Sequence, residues 1–131
     1  MGFDTEYFRE SDLSSLIIQA LRDERVILTR NHHFPKKTGI KIIHIQSEIV
    51  QEELRQALKE LNVAVNRDIM FTRCNVCNCA LEPLNKENAR GKVPEQVYQT
   101  QNSFFTCPKC KRIYWQGTHW GNITEILKEI T

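Results

Sequence analysis

Two short cysteine pairs constrain this chain more than any other feature in it: Cys74-x-x-Cys77 and Cys107-x-x-Cys110, with residues 78 to 106 between them. Two thiolates three residues apart in a tight turn can face one tetrahedral ion, and two such turns close a four-cysteine structural zinc site. Such a site leaves no open coordination position, so the zinc holds the fold and does no chemistry. The 29-residue gap is longer than in the tersest zinc ribbons, but the intervening loop is free to vary when each knuckle is intact. Buried, unligated thiols are the plain alternative; a redox pair is disfavoured because neither knuckle follows a thioredoxin-like strand. Cys79 competes for the first knuckle, yet Cys77-x-Cys79 fits the turn less well than Cys74-x-x-Cys77. Cys79 therefore reads as a small buried residue or a spare thiol.

A metal reading of the five cysteines presupposes a reducing compartment, and the rest of the chain agrees. There is no run of about 18 apolar residues. The amino terminus, MGFDTEYFRE, has neither the basic nor the apolar region of a signal peptide. A cytoplasmic protein without a membrane partner is expected. Its 131 residues suffice for one domain, or a small domain with an appended module, and are too few for two full-sized cores. Hydrophobic residues at 40% and charged residues at 26% describe a folded chain. A net charge of +2 and a pI near 8.3 permit a nucleic-acid partner without demanding one.

Along the chain, DTEYF is a short, β-leaning piece, and Ser11 is placed to cap a helix whose Leu13, Leu16, Ile17, Ala20 and Leu21 share one face. Arg25–Thr29 reads as a buried strand. Pro35, Lys36, Lys37 and Gly39 punctuate the chain before a second strand, Ile40–Ile45. Ser47 is placed to cap a further helix with the stripe Val50, Leu54, Ala57, Leu58 and Leu61. This is the rhythm of an open, mostly parallel α/β sheet. Ligands of such sheets sit beyond the carboxyl ends of strands, where Thr29–His33 falls. His32 and His33 are adjacent on an extended segment, so they point to opposite sides and do not easily share an ion. From Cys74 the texture turns polar and turn-rich, and a last helix carries the stripe Ile123, Ile126, Leu127 and Ile130. A boundary is expected between about residues 62 and 72, dividing the chain into 1–65 and 66–131.

Around the second knuckle, Lys109, Lys111 and Arg112 alternate with Tyr114, Trp115 and Trp120. Cations for phosphates and flat rings for bases are how single-stranded nucleic acid is held. The same rings also suit the packing of a small module with little core, and both readings stand. His119 has no metal-ligand partner in the sequence and joins this set as a surface or core histidine.

The segments FTRCNVCNCALEP and VPEQVYQTQNSFFTCPKCKRIYWQGTHW closely resemble the zinc ribbon of the Mut-seven carboxyl-terminal ribonuclease family, whose first part is a PIN-like nuclease fold. GFDTEYF, SDLSSLIIQALRDERVILTRN and EELRQALKEL look like successive parts of that PIN-like half, in order. The resemblance implies an α/β, PIN-like open sheet on 1–65 followed by a four-cysteine zinc ribbon on 66–131. It also implies an RNA partner, with Arg30 beside the ribbon cations as a contact, and a ribonuclease whose acidic side chains hold magnesium or manganese.

This sequence departs from the family pattern at two places. The family's first strand and its metal-binding acid are absent, because the chain starts inside the turn that follows them. The family's Thr-Arg-Asp is here Thr29, Arg30, Asn31. An amide oxygen can ligate a hard cation but brings no charge, so metal affinity and water activation should fall. Asp12 matches a family acidic position and Asp4 the acid of the turn, leaving two carboxylates and an amide as the candidate catalytic set. Taken alone, Asp12 is also what the first turn of any helix favours. A missing strand leaves unpaired backbone groups, so a second copy or a partner chain is expected to complete the sheet, unless the natural chain starts upstream. A non-catalytic RNA-binding or protein-interaction module built on the ribbon is the competing expectation.

Overall fold

The computed structural model describes residues 1–35, 39–117 and 119–130. Lys36 and Lys37, expected to punctuate the chain, lie outside the described residues. The protein is mixed α/β, with one two-stranded parallel sheet and one three-stranded antiparallel sheet among the described residues. It divides into two compact units: Tyr7–Ala64 with the end of the chain from Glu129, and Met1–Glu6 with Val65–Lys128. No helix among the described residues is long and apolar enough to cross a membrane.

In the first of these units, α1 (Leu13–Arg22) is capped by Asp12 and not by Ser11. A carboxylate offers more acceptor sites than a hydroxyl, and this one takes the N–H groups of Ser14 and Ser15, each at 3.1 Å, and the Ser15 hydroxyl. The helix ends where Glu24 turns left-handed at φ 52° and the Arg25 N–H reaches back to the Ala20 carbonyl at 2.8 Å. Ala20, Ile27 and Phe34 form the buried core, with Leu13, Leu16, Ile17, Ile40 and Ile42 packed against it. Leu21, expected on the same stripe, is 48% exposed.

The expected strands appear in shortened form as β1 (Ile27–Thr29) and β2 (Ile42–His44), paired in parallel with Ile27 opposite Ile42 and Thr29 opposite His44. The connection, residues 30–41, is about the dozen residues that a parallel return requires. It brings His32 to stack on His44, with ring centroids 5.5 Å apart, and sets Phe34 edge-on to the same ring.

Polar contacts tie α2 (Val50–Leu61) to the strand ends. The Gln56 amide accepts the Gln46 N–H at 2.9 Å and donates to the His44 carbonyl at 2.8 Å, continuing the ladder past β2. Arg30 pairs with Glu53, and the Lys41 ammonium donates to the Glu60 carbonyl. The expected apolar stripe of α2 contributes no fully buried residue, and Val50 is 55% exposed. Ser47 acts ahead of the N-cap residue, Ile49: its hydroxyl accepts the Ile49 N–H and donates to Glu52.

In the other unit, β3 (Glu82–Leu84), β4 (Phe104–Thr106) and β5 (Ile113–Trp115) form the antiparallel sheet with β4 in the middle. Phe104, 2% exposed, stands opposite Leu84 and Trp115 on the buried face. The short helices α3 (Lys86–Ala89) and α4 (Glu95–Thr100) join β3 to β4, so the long gap between the cysteine pairs is folded. The last helix, α5 (His119–Ile130), buries Leu127 of its expected stripe; Ile130, also buried, is counted with the first unit.

The β-leaning segment DTEYF is not a strand. A strand needs a partner edge, and here Asn78 takes the backbone instead. The Thr5 N–H donates to Asn78 Oδ1 at 3.0 Å, and Asn78 Nδ2 donates to Asp4 at 2.6 Å. Ahead of it Gly2 sits at φ 81°, where a Cβ would lie 1.8 Å from the Ile69 carbonyl oxygen. Gly2→Ala is therefore expected to detach residues 1–6 from their unit. It should cost about 2 kcal/mol, the scale of one left-handed backbone penalty and a pair of hydrogen bonds. Limited proteolysis checks this: cleavage before Arg9 should accelerate, and unchanged resistance with an unchanged melting point would refute it.

Candidate metal centre and nucleic-acid interface

The two cysteine pairs adopt the same turn, hydrogen bond for hydrogen bond. In the first, the Cys77 N–H points at Cys74 Sγ at 3.3 Å, the Asn78 N–H donates to the Cys74 carbonyl at 2.9 Å, and the Cys74 N–H donates to the Cys79 carbonyl at 2.9 Å. In the second, the Cys110 N–H points at Cys107 Sγ at 3.4 Å, the Lys111 N–H donates to the Cys107 carbonyl at 2.9 Å, and the Cys107 N–H donates to the Arg112 carbonyl at 3.0 Å. Each turn closes on a left-handed residue, Asn78 at φ 59° and Lys111 at φ 62°. Asparagine tolerates that conformation; lysine is strained in it by roughly 1 kcal/mol.

The sulfurs of Cys74, Cys77, Cys107 and Cys110 all lie within 4.8 Å of one another. Cys74 and Cys110 are 3.7 Å apart, matching the edge of about 3.8 Å that zinc–sulfur bonds of about 2.3 Å give a tetrahedron. The donor set therefore fits a closed structural zinc, and the four residues could hold it. Cys79 stands outside the four, although its sulfur is 3.8 Å from that of Cys107; its thiol donates to the Cys77 carbonyl.

The electrostatics of the cluster suit a cation. Burial pushes the Cys74 thiol up, but hydrogen bonds from Tyr114 and from the N–H groups of Cys77 and Val76 outweigh it and bring the pKa down to about 6. The N–H of Cys110 leads those that lower Cys107. Cys77 is pushed up to about 12 by desolvation and by the sulfurs of Cys110 and Cys107. One thiolate is ready and another is opposed by its neighbours, so a divalent ion relieves the crowding and displaces protons as it binds.

Tyr114 belongs to this centre by its hydroxyl, 3.0 Å from Cys74 Sγ and 2.8 Å from Asn75 Oδ1. Burial and the neighbouring Cys74 raise its pKa, so it stays a donor. With Trp115, Lys111 and Arg112 it also lines an open cleft of about 560 Å³, completed by Asn75, Lys92 and Ile113. Asn75 and Lys92 carried no sequence signal, since nothing local places the turn after α3 against β5. Lys109 is exposed and is not among the residues lining the cleft. The side chains of His119 and Trp120 lie outside the described residues. Arg30, in the other unit, is paired with Glu53.

The candidate catalytic set is dispersed in its commitments. Both carboxylate oxygens of Asp12 accept the cap bonds of α1, which lower its pKa, the Ser15 hydroxyl most of all. Asn31 follows the carboxyl end of β1, and its Oδ1 accepts the His33 N–H at 2.9 Å. Asp4 is in the other unit and is bonded to Asn78. Among the described residues the cysteines are the one group of three or more His, Cys, Asp or Glu side chains placed to share a metal.

A family model described as the Mut7-C RNAse domain matches residues 1–127. No curated protein and no solved structure matches the chain.

The geometry separates the two neighbouring thiols of the first knuckle. The purified protein should carry about one zinc per chain, and a chelator should unfold the cysteine-bearing unit. Cys77→Ser should lose most of the metal, whereas Cys79→Ser should keep it. Equal zinc loss in both variants, measured by elemental analysis and chelator competition, would contradict the assignment.

Proposed function

The chain belongs to the Mut7-C RNAse domain family, and from that premise we propose that it is an RNA-directed protein built from a PIN-like part (1–65) and a zinc ribbon (66–131), with metal-dependent cleavage weakened or lost. The family match carries the RNA and nuclease part of the reading; the four-sulfur cluster supports structural Zn2+. The neutral side chain of Asn31 supports the weakening. It stands just past the end of β1, where an acid would hold Mg2+ or Mn2+.

A second reading, a non-catalytic RNA-binding module, is favoured by the employment of Asp12 as a helix cap. The two-stranded sheet supports a further proposal. Each strand keeps an unpaired edge among the described residues, so a strand from a second copy or another chain would complete it. We place the protein in the cytoplasm.

Manganese-dependent cleavage of single-stranded RNA tests the leading reading. The unaltered chain should cleave at or near background, and Asn31→Asp should raise the rate about tenfold or more. Asp12→Asn in that background should abolish the gain with only a small fall in melting point, because the amide oxygen still takes one side of the cap. If Asn31→Asp stays inert with every divalent metal tried, in this chain and in any form extended upstream, the nuclease reading falls and the binding module stands.

A further inference from the structure

We infer that the cleft beside the second cysteine knuckle is a seat for a short single-stranded segment of RNA, with phosphate on Lys92, Lys111 and Arg112 and separate bases against Tyr114 and Trp115. The choice of RNA over another polyanion rests on the family reading; the seat itself rests on the cleft.

Seven residues line it, of which three are cations and none is acidic. The side chains of Lys92, Lys111 and Arg112 have no ion pair or hydrogen-bond partner among the described residues, whereas Arg30, Arg22 and Lys128 elsewhere are all paired. Three like charges in one concavity repel one another and focus a positive field, which an anion would relieve. They also come from separate places in the sequence: Lys92 from the turn after α3, Lys111 and Arg112 from the residues that close the knuckle. The left-handed backbone at Lys111 belongs to that closing turn.

The rings mark the ligand as more than a phosphate. Tyr114 is held by its hydroxyl on Cys74 Sγ and Asn75 Oδ1, so its ring is fixed before any ligand arrives. Trp115 follows it on β5, an edge strand, and borders the same space from the other face of the sheet. Stacking on such rings requires an unpaired base, which a duplex keeps inside its helix. Acidic side chains would satisfy the cations but carry no flat ring of their own.

The test is fluorescence anisotropy of a labelled eight-nucleotide oligouridylate with the zinc-loaded full chain and no added magnesium or manganese. Three cations should give a slope of about −2 for log affinity against log salt, and Lys92→Gln, Lys111→Gln or Arg112→Gln should each make it shallower by about 0.7. Lys59→Gln, an exposed lysine of α2, should leave it unchanged. Trp115→Ala should weaken binding about tenfold or more and Trp115→Phe much less; if Trp115→Ala does not fold, the lysine series and Trp115→Phe still decide. A duplex of equal length, or poly-glutamate, binding as tightly as the single strand would overturn the proposal, as would unchanged slopes in the three cation variants. Binding is read here without the metal that cleavage needs, so absent cleavage in the manganese assay together with intact binding would sink only the nuclease reading. Intact cleavage without binding would sink only the cleft.

Discussion

Four sulfur atoms within 4.8 Å of one another are the constraint on which the cysteine-bearing unit depends. Its strands are three residues long, its two connecting helices four and six. Elements of that size bury too little apolar surface to hold a unit together unaided, and small modules of this kind need a metal or a covalent staple. Hydrogen bonds between neutral thiols are weak, and thiolates repel, so the cluster supports the fold only with a cation at its centre. The paired knuckles, the αL residues that close them and the Tyr114 hydroxyl all follow from presenting four sulfurs to one point. Asn78 extends the effect: the residue that closes the first knuckle also holds the Thr5 backbone N–H and the Asp4 carboxylate.

The other unit meets the same shortage of core differently. A two-stranded parallel pair is below what ordinarily stands alone, since parallel sheets are usually covered on both faces. Here α1 supplies one cover through Ala20, Leu16 and Ile17. The second helix is held mainly by polar struts from Gln56, Glu53 and Glu60 to the strand ends. Polar struts orient a helix but add little stability each, because exposed pairs in water are worth under about 1 kcal/mol. The cost shows on the surface, where Ile18, Leu28, Ile49 and Val50 remain largely exposed.

What the sequence disclosed was what short-range chemistry decides. The knuckles and the preference for Cys77 over Cys79 follow from a turn four residues long, and α1, α2 and α5 follow from helical periodicity. The cap expected at Ser11 falls one residue later, at Asp12, whose two carboxylate oxygens accept the N–H groups of Ser14 and Ser15. The failures are long-range. DTEYF has strand composition, but its backbone is engaged by a side chain more than seventy residues away. The α2 stripe has the period of a buried face, yet periodicity cannot say whether anything covers that face. Lys92 enters the cleft only because α3 and α4 fold the gap between the knuckles, and no local pattern encodes that. The PIN-like order of the first part rests on resemblance, for one parallel pair is too little topology to establish it.

Charge around Asp12 and charge in the cleft are disposed in opposite ways, and this bears on the two proposed readings, cutting RNA or holding it. A carboxylate has about four lone-pair sites, and Asp12 has committed three of them to the first turn of α1. A divalent ion there would have to compete with the helix cap. Asn31 offers one neutral oxygen already engaged by the His33 N–H, so the strand end contributes no countercharge. In the ribbon the reverse holds: Lys92, Lys111 and Arg112 face a cleft without an acid among its lining residues. Metal-dependent cleavage needs concentrated negative charge, and binding needs concentrated positive charge. On the reading proposed above, candidate carboxylates already occupied and cleft cations without a partner among the described residues favour gripping a strand over severing it.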